Sequence, residues 1–169
     1  MEDKKALIII ANRDFNDQEF QEMKEFFEDE AIETRVVNSS GNDAEGSGGL
    51  KAIPDYGINR TTVDDYDILV IIGGSGIKEY YSEDSIIDLI KAGKSLGKII
   101  VAFDVASGLL AISGIVSGKK ITGSLSIKPL VEKSGAVYTG KKLEIDDKII
   151  TAINSESMNE LKQCIIKIF

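Results

Sequence analysis

The sequence predicts a single α/β domain with a mostly parallel sheet. Three observations carry that expectation. Short, wholly apolar runs recur along the chain, such as Ile68–Ile72 and Ile99–Phe103. Stretches with helical spacing of apolar residues alternate with them, and short glycine-bearing turns join the two. Strands buried on both faces read as continuous apolar runs, and strand–helix alternation is the pattern of a sheet with helices on both sides. The 169 residues suffice for one domain, 1–169, with a sizeable core. No internal repeat or linker divides them.

Ala6–Ala11 reads as the first strand and Asp17–Glu30 as the first helix, with Phe20, Met23, Phe26 and Phe27 on its apolar side. Thr34–Val37 is a second strand. Residues 38–49, rich in Ser, Gly, Asn and Asp, read as a mobile loop. Leu50–Ile53 and Tyr56–Asn59, around Pro54-Asp55, read as a hairpin or an edge excursion. Asp67–Ile72 is a strand ending in Gly73-Gly74-Ser75-Gly76, and Ser82 is placed to cap a helix over Glu83–Ser95. Lys98–Phe103 is the next strand, with a helix from just after Asp104 to about Ser113. Short strands near Lys120–Thr122 and Val137–Thr139 enclose a helix near Ile127–Lys133. Leu143–Ile145 and Lys148–Ile153 flank a turn at Asp146-Asp147, and Ser155–Phe169 closes as an amphipathic helix.

Composition removes several functions. The formal net charge is −8 with no Lys/Arg cluster, which disfavours nucleic acid and anionic membrane surfaces. No apolar run approaches the roughly 20 residues that cross a bilayer, and the N-terminus lacks a leader pattern, so the expected location is cytoplasmic. There is no histidine, so the chain contains no Ser-His or Cys-His pair and lacks the commonest metal ligand. No metal or cofactor is expected. The one cysteine, Cys164, shares a helix face with Leu161, Ile165 and Ile168, which is core spacing.

In an open parallel sheet the ligand crevice lies beyond the carboxyl ends of the strands. Asn12–Phe15, Gly73–Gly76 and Phe103–Ser107 should meet there. The glycine turn is either a set of N–H groups aimed at an anion, with Ser75 beside them, or a plain strand-to-helix turn. Asp104, at a strand end followed at once by a helix, is either an N-cap or the residue of a nucleophile elbow, with the Val105 amide as an oxyanion donor. Asp14 and Arg13 follow the first strand, and Tyr80-Tyr81 either line the crevice or pack on the sheet.

The order of these segments resembles the ThiJ/PfpI family over almost the whole chain, from about Lys5 to Phe169. The resemblance rests on Ile8–Asp17, on Tyr66–Gly74, on Gly97–Asp104, on Ser113–Thr122 and on Asp146–Ala152. It implies a flavodoxin-like sandwich with a nucleophile-elbow-like strand–turn–helix at Asp104. The family's elbow carries cysteine, followed in its proteases by histidine and glycine; here those positions are Asp104, Val105 and Ala106. By resemblance, Asp14 stands for the carboxylic acid that faces the cysteine, and Gly73 and Gly74 for the oxyanion donors. The resemblance also implies a homodimer or higher homo-oligomer. Two functions follow: a protein that has lost cysteine-dependent hydrolase or deglycase chemistry and binds a small molecule or partner in the old cleft, or an enzyme with Asp14 and Asp104 as acid and base. The pair is expected to lie close and to share a proton.

Overall fold

The computed structural model describes residues 3–169. The elements are β1 (Lys5–Ile9), β2 (Arg13–Phe15), α1 (Asp17–Asp29), β3 (Glu33–Asn38), β4 (Ala44–Gly46), β5 (Lys51–Ala52), β6 (Tyr56–Gly57), β7 (Ile68–Ile71), α2 (Asp84–Ser95), β8 (Ile99–Phe103) and α3 (Ser107–Ile112). Then come β9 (Lys120–Ile121), α4 (Lys128–Lys133), β10 (Val137–Tyr138), β11 (Leu143–Asp146), β12 (Ile149–Ala152) and α5 (Met158–Ile168). The main sheet has the order β11-β12-β8-β7-β1-β3-β6, and every neighbouring pair is parallel except β11–β12. This is the α/β architecture expected from the sequence.

The apolar runs become the central strands because no residue of β1, β7, β8 or β12 beyond Lys5 keeps more than a trace of exposed surface. The chain leaves β1 in one direction, to β3 through α1, and leaves β7 in the other, to β8 through α2. Right-handed crossovers then put α1 and α2 on opposite faces. The reversal falls between β1 and β7, which opens a crevice at their carboxyl ends. Tyr80 locks that end of the sheet. Its hydroxyl, fully buried, donates to the Ile10 carbonyl at 2.8 Å and accepts from the Ser39 amide at 2.9 Å.

Two local expectations, the mobile loop and the Ser82 cap, are corrected, and one open alternative is decided. Residues 38–49 are not a free loop: Ala44–Gly46 forms β4, parallel to β2 and antiparallel to β5. That segment wraps the start of α1, where Asp17 Oδ2 accepts from the Leu50 amide at 3.2 Å. A Cβ on Gly46 or Gly48 would collide with the Asp17 carboxylate, so the wrap depends on glycine. β5 and β6 do not form a hairpin; they join different sheets, and β6 extends the edge beyond β3. Ser82 does not cap α2. It ends a 3-10 stretch, Ser75–Ser82, and Glu83 precedes the helix. β9 and β10 pair in parallel apart from the main sheet. Among the described residues, no helix is long and apolar enough to cross a membrane.

Candidate functional site

The site forms where β1, β7 and β8 end. β8 delivers Asp104 at its tip, and the backbone there takes φ 53°, the left-handed region that costs a residue with a side chain about 1–2 kcal/mol. The chain turns at once into a 3-10 turn, Asp104–Ala106, and then into α3. This is the strained strand–turn–helix layout of an elbow. Neither the 3-10 turn nor α3 has a side-chain cap bond, so Asp104 is not an N-cap. Strain held at a strand tip points to a functional position.

The acid that faces Asp104 is Glu19, not Asp14. Glu19 lies in the first turn of α1, and its amide is capped by Asn16 Oδ1 at 2.9 Å. Its side chain, wholly buried, turns inwards, and Oε2 accepts from the Gly73 amide at 2.8 Å. A Cβ placed on Gly73 would lie 2.9 Å from Glu19 Oε2 and 2.9 Å from the Asp104 Cβ, so the two acids close around this glycine. Glu19 Oε1 is buried and has no partner, and the same holds for Ser107 Oγ on the first turn after the elbow. Burial pushes the Glu19 carboxyl up to about 8; the Gly73 bond opposes this, and the Asp104 charge adds to it. Glu19 is therefore protonated at neutral pH, and its unpartnered oxygen is placed to carry the proton.

Asp14 lies elsewhere. It is exposed, at φ 57°, on the loop of β2, and it lines a polar cleft of about 520 Å³ with Asn12, Arg13, Asp43, Glu45 and Lys51. The part of Asp14 that reaches the glycine turn is its carbonyl, 2.4 Å from where a Gly74 Cβ would stand. The Arg13 carbonyl is 1.7 Å from the corresponding point on Gly76. The glycines of this turn are thus required by a crossing backbone, and the Gly73 amide is committed to Glu19. Gly74, at φ 101°, needs glycine on conformational grounds as well. Ser75 is exposed, with no hydrogen bond from its hydroxyl among the described residues. Val105 is buried, and its carbonyl accepts from the Tyr81 hydroxyl, which burial and the Asp104 charge hold up at about 12. Tyr81 therefore borders the elbow, whereas Tyr80 packs in the sheet. Cys164 is half-buried on α5 against the core.

Asparagine tolerates the left-handed region as well as aspartate does. Asp104→Asn should therefore keep the fold and remove a like charge beside Glu19. Above about pH 8.5 the variant is expected to be more stable by about 1 kcal/mol after solvent screening, and near pH 6, where Glu19 is neutral, close to unchanged. Urea unfolding at the two pH values measures both; a loss at both would show that the carboxylate stabilises the helix entry instead.

The glutamate escaped the sequence reading because Asn16-Asp17-Gln18-Glu19 has the spacing of a helix-capping pair, in which glutamate turns back to the cap. The signal that identifies it is its place on the same stripe as Met23 and Phe26, four and seven residues further on.

The DJ-1/PfpI family profile matches residues 4–168. An uncharacterized protein of Methanocaldococcus jannaschii is 33% identical over 155 residues, 90% of this chain and 76% of that protein. The protein dj-1beta of Drosophila melanogaster is 28% identical over 151 residues, 88% of this chain and 80% of that protein. The crystal structure of a ThiJ/PfpI domain protein from Brachyspira murdochii superposes with a TM-score of 0.91 at 20% identity, covering 96% of this chain and 94% of that one. That of Drosophila DJ-1beta gives 0.86 at 25% identity, covering 96% and 88%. The profile match and these relatives agree with the elbow, the glycine turn and the strand order, and the chain belongs to the DJ-1/PfpI family.

Proposed function

We propose that this protein does not perform cysteine-dependent hydrolase or deglycase chemistry and that its elbow serves as a binding site for a small molecule or partner. The observation that carries this reading is Asp104 itself, a carboxylate at the strained tip of β8 with the buried Glu19 beneath it. A carboxylate is a far weaker nucleophile towards carbonyl carbon than a thiolate, and Val105 has no group to relay a proton. Cys164, the single thiol, sits on α5, outside the site. Glu19 has no exposed surface, so what it offers a ligand passes through Asp104.

Two measurements test this. Any peptidase, deglycase or glyoxalase turnover should be unchanged after native-state alkylation with iodoacetamide; turnover that alkylation abolishes overturns the reading. A thermal-shift screen of metabolites should find a ligand whose stabilisation is lost in Asp104→Asn. A ligand at a hundred times its Kd adds about 2.7 kcal/mol, a shift large enough to read.

A second reading has one observation in its favour. Glu19 and Asp104 are neighbouring carboxyl groups in unlike surroundings, one buried and protonated, the other partly exposed. Environments that separate two such groups assign acid and base roles. On that reading the enzyme's acid/base pair is Glu19 and Asp104, with Asp14 outside it.

A further inference from the structure

The polar groups around the elbow are unbalanced. None of the ion pairs among the described residues includes Asp104 or Glu19. The Gly73 amide, which lies between the two acids, is taken by Glu19. Ser107 Oγ and Glu19 Oε1 are buried beside the elbow without partners. Asp104 is partly exposed, and its carboxylate is in no ion pair among the described residues. What is missing is a hydrogen-bond donor with positive charge. An anion would meet the Asp104 charge with no cation to offset it.

We propose that the elbow receives an organic ammonium group on Asp104, and that its arrival drives the proton off Glu19. This rests on the reading that the elbow is a binding site and names the class of ligand. A metal ion is disfavoured by the donor set: among the described residues no three His, Cys, Asp or Glu side chains gather to hold one, and hard cations take six or more oxygens. An ammonium needs only one carboxylate and a few acceptors. The Ser124 amide donates to the Asp104 carbonyl at 3.3 Å, and the next residue, Leu125, is an apolar side chain left 73% exposed one residue from that contact.

The proton linkage follows from the geometry. The charged and titratable groups facing Glu19 reduce to Asp104 at the elbow, whose charge also acts on the Tyr81 hydroxyl, with the Gly73 amide bonded directly. Burial and the Asp104 charge hold the proton on Glu19. A cation on Asp104 cancels the second effect and attracts the ionised form of Glu19, so its proton leaves more readily. Binding then tightens as pH rises towards and through about 8, while an alkylammonium, like a lysine side chain, stays charged.

The test is a titration with butylammonium chloride, with sodium butyrate and sodium chloride at equal ionic strength as controls, followed at the Val105 amide by NMR at about pH 6.5 and about pH 8.5. Saturable shifts are expected with butylammonium alone, severalfold tighter at the higher pH. Glu19→Gln should bind with one affinity at both, and Asp104→Asn should not bind. If Asp104→Asn does not fold, the butyrate control and the pH contrast in the unmodified protein still decide. Equal binding of butyrate, equal affinity at the two pH values, or no saturable shift overturns the assignment. If butylammonium fails while a neutral or anionic metabolite shifts Val105, the ammonium assignment falls and the binding reading stands.

Discussion

Gly76→Ala is expected to abolish the native fold or weaken it by more than about 3 kcal/mol. The new Cβ would stand 1.7 Å from the Arg13 carbonyl oxygen and 2.8 Å from its carbon. These are backbone atoms, so no rotamer change relieves the overlap. β2 must move, and with it β4, which pairs with β2 through Arg13 and Phe15. Phe15 is fully buried and packs edge-on to Phe20 at 5.3 Å between centroids. The damage therefore reaches the apolar side of α1. Gly118→Ala is a suitable control, since its φ of 75° adds backbone strain while the new Cβ meets nothing within 4 Å; it should cost only that local strain. Denaturant midpoints of the two variants measure the difference, and equal small losses would show that the strands over the glycine turn yield freely.

The second large effect is on pH dependence. Glu19 sits at about 8 in the folded protein against an ordinary value of 4.5. The folded state therefore holds a proton that the unfolded chain releases between those values. Stability falls wherever the native state binds more protons, so it should decline from about pH 5 to about pH 8 and level off above. A shift of this size corresponds to about 4–5 kcal/mol between the two limits. Glu19→Gln, which has no proton to lose and keeps an oxygen for the Gly73 amide, should remove most of that slope. The variant is expected to match the unmodified protein near pH 5 and to exceed it near pH 9. Urea unfolding across that range measures the slope, and an unchanged slope would place its source in other groups.

Most of the fold was legible because its central strands are buried on both faces, and such strands must be apolar throughout. Ile68–Ile71 and Ile99–Phe103 admit no other reading, and the hairpin at Asp146-Asp147 follows from two apolar runs around a turn. The three-residue strand β4 was not legible, and for the two-residue β5 and β6 the partners were not. They are too short to show a period, and their pairing is decided by backbone contacts with β2 and β3. The elbow was legible because a strand tip meeting a helix at once leaves one residue exposed at the turn, and Asp104 is that residue. Its partner was not. Asp14 follows the first strand most closely in sequence, but the excursion through β2 turns it out to the surface. Glu19, five residues later, is carried inwards by the first turn of α1. A charged side chain on an apolar stripe is the trace that such a burial leaves in a sequence.

The chemistry of the elbow turns on one arrangement, Asp104 standing over a protonated Glu19. Its most direct test is a carbon-detected NMR titration of the Glu19 side-chain carboxyl in the native protein and in Asp104→Asn. The expected result is an inflection near pH 8 in the native protein, moved to lower pH in the variant because the neighbouring charge is gone. An inflection near the ordinary 4.5 in the native protein, or one that Asp104→Asn leaves in place, would contradict it.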